Sequence, residues 1–294
     1  MKSQFNLSDY PLWTALVTPF DAQDQVDYDA LAQLVREQQD AGNGILLLGS
    51  TGEGLALSQA EQQGIVEFVC QQPHTTPLMV AVGGSNLEQQ LAWVEFCNQQ
   101  PIDALLLGSP IYAKPGQVGL THWFTTLLDA SDNPCMIYNV PGRSAVAIAP
   151  KVLAGLAQHP NLWALKEASG DIAAFEAFRQ AAPKVQIYSG DDALMPYFAQ
   201  AGAAGLVSVA ANAWPQQTAE YVRRALTGTS VNLFTIWSEA ASSLFAVANP
   251  IPIKVLLHLQ GKLASPNLRP PLTHLELPET AALSRANESI LAWN

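Results

Sequence analysis

The sequence predicts an α/β fold: a closed (β/α)8 (TIM) barrel over residues 1–214, followed by a C-terminal helical extension over residues 215–294. Two observations carry this. Short apolar runs begin near residues 13, 45, 78, 104, 135, 162, 185 and 205, and helical spacing follows them. Apolar runs bounded by turn residues read as parallel strands covered on both faces, and eight βα units suit a closed barrel. From residue 215 onward strand signals stop, and helical patterns fall at about 216–227, 230–247, 253–260 and 278–292. An open doubly wound sheet would need a glycine-rich phosphate turn after the first strand, and Thr18-Pro19-Phe20-Asp21 is not one.

The elements follow in order. Residues 13–18 read as the first strand, ended by Pro19. Residues 27–41 are helical, with Leu31, Leu34 and Val35 on one face and Gly42 as a stop. Residues 45–48 form the second strand, and Ser58 caps the helix that runs to about residue 72. The third strand is 78–82, with a helix over 86–98; the fourth is 104–107, with a helix over 117–130. The fifth strand is 135–138, followed by a loop over 139–144 and a helix near 150–158. The sixth covers 162–165, the seventh 185–188 and the eighth 205–209, with helices over 172–182 and 193–200 between them.

Bulk properties narrow the function. A chain that is 49% hydrophobic and 13% charged can bury a large core, and a net charge of −11 argues against nucleic acid or an anionic membrane as partner. The three cysteines, Cys70, Cys97 and Cys135, have no paired spacing and apolar neighbours, so they read as reduced thiols. The five histidines show no metal-binding motif, and neither metal nor cofactor is expected. No apolar run reaches the length of a membrane span, and residues 1–9 lack an apolar signal core, so a cytoplasmic location is expected.

In a parallel barrel the loops after the strands form the active face. The second strand brings Gly49, Ser50, Thr51, Gly52 and Glu53 there, and the fourth brings Tyr112. Tyr138 and Arg143 come from the fifth, and Lys166 from the sixth. Gly190, Asp191 and Asp192 follow the seventh, and Ser208 ends the eighth. Lys166 is costly as an unpaired core residue but well suited as a nucleophile, because partial burial frees the amine lone pair. Such a lysine can add to a keto group. Tyr138 can shuttle protons. Ser50 and Thr51 precede a helix and can hold a carboxylate at its positive end. Arg143 can hold a second carboxylate bidentately. Gly190 and Val207, at the ends of the last two strands, are expected to border the substrate.

Each residue also has a structural alternative. Lys166 can snorkel to solvent, residues 49–53 can be a turn with a cap, the tyrosines can be packing groups, and Arg143 can be half of a surface ion pair. Asp191 and Asp192 read as a helix cap, and Lys254 as part of a turn feeding a helix. The joint occurrence at successive strand ends is what these alternatives explain poorly.

Five motifs together resemble one family: Gly49-Ser50-Thr51-Gly52-Glu53, Tyr138-Asn139-Val140-Pro141-Gly142-Arg143, Lys166-Glu167-Ala168-Ser169-Gly170, Ser189-Gly190-Asp191-Asp192 and Asn249-Pro250-Ile251-Pro252-Ile253-Lys254. The chain resembles the dihydrodipicolinate synthase / N-acetylneuraminate lyase family of class I aldolases, from Trp13 to Leu272. The Arg143 motif is similar to the synthase branch. The resemblance implies condensation of pyruvate with L-aspartate 4-semialdehyde to 4-hydroxy-tetrahydrodipicolinate, the first committed step toward diaminopimelate and lysine. It implies that Lys166 forms the pyruvate imine and that Tyr138 carries protons in a relay with Ser50 and Tyr112. Thr51 would bind the pyruvate carboxylate, and Arg143 the carboxylate of the aldehyde. It also implies a homodimer or homotetramer in which Tyr112 enters a neighbouring site, with no cofactor beyond the lysine–pyruvate imine.

Two departures stand out. Ser50 sits where the family usually has threonine; it keeps the hydroxyl but loses the methyl that restricts it. Lysine-inhibited members usually have histidines at the positions of Gln59 and Gln62, a glutamate at Gln90 and a tyrosine at Ile111, and only Asn86 matches. Weak or absent lysine feedback is expected, because a neutral amide cannot replace the charge that pairs an ammonium. The alternatives are a sugar-acid aldolase or lyase of the same family, which Arg143 argues against, and a non-catalytic keto-acid binder, which the intact Lys166, Tyr138 and Ser50 set argues against.

Overall fold

The computed structural model describes residues 5–293; residues 1–4, part of the segment read as lacking a signal core, lie outside them, as does Asn294. Eight parallel strands close on themselves in sequence order: β1 Leu12–Ala15, β2 Gly44–Leu47, β3 Leu78–Val82, β4 Ala104–Gly108, β5 Cys135–Asn139, β6 Leu162–Glu167, β7 Gln186–Ser189 and β8 Gly205–Ser208. β1 pairs with both β2 and β8, which completes the ring. The predicted barrel is therefore the observed one, with strand boundaries moved by a residue or a few.

Alternation along the strands makes two cores. Trp13, Ala15, Leu46, Met79, Ala104, Leu106, Met136, Ala164, Tyr188 and Val207 fill the barrel interior. Small and large side chains complement one another there, as close packing requires. The alternate residues, such as Ile45, Leu105, Ile137 and Leu165, join the larger core under the helices. That core continues through Trp214, Tyr221, Trp237, Leu257 and Ile290 into the C-terminal helices, so barrel and extension share apolar packing.

Local signals account for the helix starts. Asp27 caps the helix Tyr28–Asp40 and Asn86 caps Leu87–Asn98, each through a side-chain oxygen. Ser58 and Glu61 form a reciprocal capping box at Gln59–Gln71. The helix Pro215–Leu226 lies against β1 and β8, the place of an eighth barrel helix. The helical stretch expected over 230–247 is shorter, a 3-10 turn at Val231–Leu233 leading into Phe234–Ser243.

The segment expected as a loop over 139–144 contains one helical turn, Pro141–Ser144. Pro141 presets its first residue, the Ser144 hydroxyl bonds back to the Val140 carbonyl at 3.1 Å, and Ala145 ends it in the left-handed region at φ 58°. This turn carries Arg143. Among the described residues no helix is long and apolar enough to cross a membrane.

Candidate active site

The strand alternation decides which side chains meet at the mouth of the barrel. Ala164 belongs to the interior, so Lys166, two residues on, points the same way one layer higher. Tyr138 stands in the same relation to Met136 on β5, and Tyr138 and Lys166 are paired in register. The Lys166 Nζ lies 4.3 Å from the centre of the Tyr138 ring, and the lysine is only 5% exposed. Tyr138, Ser50 and Arg143 line one cavity of about 820 Å³.

The strand ends around Lys166 are held by buried hydrogen bonds. Glu167 is fully buried and accepts from Asn139 Nδ2 and the Ser169 amide, both at 2.7 Å. Asn139 Oδ1 in turn accepts from the Ile148 amide at 3.0 Å. The Gly190 amide donates to the Glu167 carbonyl at 2.7 Å. Gly190 also has a steric role. A Cβ at this position would lie 2.6 Å from Ala168 Cβ and 2.9 Å from Lys166 Cε. The absent side chain leaves the space in which the Lys166 arm lies.

The loop after β2 differs from the sequence-based expectation. Ser50 and Thr51 do not start the α-helix, which begins at Gln59 under its own Ser58 cap. The chain instead folds back tightly: the Gly54 amide donates to the Gly49 carbonyl, and a Cβ on Gly54 would sit 2.0 Å from the Leu48 carbonyl oxygen. That close approach makes a turn where the spacing suggested a helix end, so the macrodipole argument for a carboxylate at these residues lapses. Ser50 faces the cavity. Thr51 is buried beside it, its hydroxyl accepting from Asn249 Nδ2 at 3.0 Å.

Arg143 donates from Nη2 to the Asn249 carbonyl at 2.9 Å. Among the described residues no carboxylate pairs with it. Val207, like Lys166, Thr51 and Gly190, does not itself line the cavity; it is 1% exposed, packs in the interior cluster and pairs with Trp13 in the β1–β8 register. Tyr112 is likewise not brought to this chain's own cavity. It is 93% exposed, in the left-handed region at φ 69°, on the loop after β4.

Asp191 is not the helix cap read from the sequence: it accepts from the Ala193 and Leu194 amides in the turn ahead of the helix Met195–Gln200, whose N-cap position is Leu194 with no side-chain cap bond. Asp192 is fully buried and accepts from the Ser208 hydroxyl and from the Val209 and Ala210 amides. Burial pushes its carboxyl up to about 6, against those donors. Burial also pushes the Cys70 and Cys135 thiols up to about 12, which leaves them inert at neutral pH. Among the described residues no group of three or more His, Cys, Asp or Glu is placed to hold a metal ion.

Sequence reasoning underrated one clamp. Lys254 is fully buried and pairs with Glu53 at 2.7 Å, with the Phe20 ring centre 4.0 Å from its Nζ. Desolvation pulls its pKa down to about 8 despite the glutamate. The other Glu53 oxygen accepts from the Arg269 amide at 2.7 Å, and Arg269 pairs through its guanidinium with Glu61. The C-terminal segment is thereby keyed to the β2 loop. The signal was present as Glu53 and Lys254 in two separate motifs, but 201 residues of separation hid their pairing.

Fold and site together define an eight-stranded parallel barrel with a buried lysine at its mouth, set against a tyrosine. The chain belongs to the dihydrodipicolinate synthetase family, whose model matches residues 10–289. A relative from Francisella philomiragia, named 4-hydroxy-tetrahydrodipicolinate synthase, is 46% identical over 283 residues, 96% of each chain. The chloride-inhibited dihydrodipicolinate synthase of Acinetobacter baumannii, solved with pyruvate, is similar with a TM-score of 0.89 at 29% identity, over 97% of this chain and 99% of that one. The enzyme of Cyanidioschyzon merolae, solved with lysine bound, gives a TM-score of 0.91 at 29% identity over the same shares.

Proposed function

We propose that this chain condenses pyruvate with L-aspartate 4-semialdehyde to 4-hydroxy-tetrahydrodipicolinate, through a Schiff base on Lys166. The observation that carries the reading is the placement of Lys166: buried at the barrel mouth, against the Tyr138 ring, beside a cavity that Tyr138 shares with Ser50 and Arg143. The family membership and the relatives' names support it.

The Lys166 amine adds to the pyruvate C2 carbonyl, and water leaves to give the imine. Loss of a proton from C3 gives an enamine, whose C3 attacks the aldehyde carbon; the aldehyde oxygen takes a proton and becomes the 4-hydroxyl. The substrate's amine then adds to C2, closes the ring and releases Lys166, so one water is lost overall. Tyr138 is the proton carrier at the imine, with Ser50 as its neighbour in the relay. Thr51 binds the pyruvate carboxylate, and Arg143 anchors the carboxylate of the aldehyde. Gly190 serves the site by leaving room for the Lys166 arm. No cofactor beyond the lysine–pyruvate imine takes part.

Tyr112 projects fully into solvent and completes the relay of a neighbouring copy in a homodimer or homotetramer. The direct test is borohydride trapping with pyruvate and mass spectrometry. A pyruvate-derived adduct on Lys166 is expected, and Lys166→Ala should fold and lose nearly all turnover. An adduct on another lysine, or an active Lys166→Ala enzyme, refutes the mechanism.

A further inference from the structure

The two residues assigned to substrate carboxylates, Thr51 and Arg143, come from loops after different strands, yet both bond to one residue of the C-terminal segment. Asn249 Nδ2 donates to the Thr51 hydroxyl oxygen at 3.0 Å, and the Asn249 main-chain carbonyl accepts from Arg143 at 2.9 Å. Asn249 is 6% exposed, and its Oδ1 is buried without a hydrogen-bond partner. Two residues on begins the helix Ile251–Leu259, held by the buried Lys254–Glu53 pair, so Asn249 sits in a rigid frame.

We propose that Asn249 is a positioning residue for the reaction: its side-chain amide presets the Thr51 hydroxyl as a donor toward the pyruvate carboxylate. This rests on the Schiff-base reading above. A threonine hydroxyl has one proton and two acceptor sites. An amide that donates to the oxygen turns the proton away from itself and leaves it for an anion. The reversed amide would accept that proton instead and bury an unpartnered NH2 with two donors, the costlier arrangement. A preset donor also carries no reorientation cost when the carboxylate arrives. The contact with Arg143 uses the main chain, so replacing the side chain addresses Thr51 alone.

Asn249→Asp is close to isosteric and reverses the hydrogen bond, because an ionised carboxylate only accepts. It takes the Thr51 proton and adds a negative charge beside the substrate anion. In borohydride trapping, the pyruvate concentration for half-maximal labelling of Lys166 should rise by about tenfold or more, while labelling at saturating pyruvate is retained. Asn249→Ala, which removes the donor without adding charge, should raise it by about threefold to tenfold. Thr51→Val should raise it similarly. Asn249→Ala placed on Thr51→Val should then add no more than about twofold, because the pair acts as one unit. Asn249→Asp within about twofold of the parent, or single effects that simply multiply in the double variant, would overturn the proposal. If the parent protein itself gives no adduct on Lys166, the Schiff-base reading falls and takes this inference with it.

Discussion

Gly190→Ala fills the space between the Lys166 arm and Ala168. The backbone tolerates the change, since Gly190 is not in the left-handed region. The added Cβ would lie 2.9 Å from Lys166 Cε, 3.2 Å from Lys166 Cγ and 2.6 Å from Ala168 Cβ. Carbon atoms at rest lie about 3.5–4.0 Å apart, so the arm must move by roughly 0.6–1 Å. Overpacking of this kind costs about 1–3 kcal/mol, which leaves a folded protein. A displacement of about 1 Å at the nucleophile costs about 100-fold in rate, or about 2.7 kcal/mol of barrier. Steady-state turnover with both substrates, together with the rate of borohydride trapping at saturating pyruvate, reads the effect. If Gly190 makes room for the arm, both rates fall by about 100-fold while melting shifts modestly. If Gly190 instead contacts pyruvate, the half-saturating concentration rises and the saturated rate stays. Saturated rates above about a third of the parent's would refute the steric reasoning.

Three further outcomes are expected. Lys254→Ala leaves Glu53 buried without its ammonium, so urea unfolding should show a loss of about 3–5 kcal/mol, and a loss below about 1 kcal/mol would show that the pair is not the clamp described. Asp192 keeps its proton to about pH 6 when folded but loses it near 3.8 when unfolded, so its contribution is fully present below 3.8 and is lost as pH rises through 6. Relative to Asp192→Asn, the parent should lose about 2 kcal/mol of stability between pH 4 and pH 7; a difference that stays constant with pH would refute it. Lysine should inhibit weakly or not at all, because Gln59, Gln62, Asn86, Gln90 and Ile111 line the same cavity as neutral groups, and strong inhibition at sub-millimolar lysine in the turnover assay would refute that.

What the sequence could and could not show follows from the range of each interaction. Strand periodicity, caps and turn residues act over a few positions, so the barrel, the Ser58 cap and the strand-end place of Lys166 were legible. The Gly49–Gly54 fold-back was legible only as one of two readings, because a glycine-rich turn and a helix start share the same residues, and only the approach to the Leu48 carbonyl separates them. Val207 shows a second limit. Position at a strand end does not give exposure to the cavity, and Val207, 1% exposed, packs in the interior cluster that also holds Met136 and Tyr188. Asn249 shows a third. Its motif was visible, but its task lies in bonds to Thr51 and Arg143, 198 and 106 residues away. No local signal encodes such a bond. The segment reads as a turn feeding a helix until the Glu53–Lys254 pair docks that helix on the β2 loop, and Thr51 and Arg143 then acquire a common partner. The C-terminal segment, which reads as an appendage to a finished barrel, thus supplies in Asn249 the atoms that tie two loops of the site together.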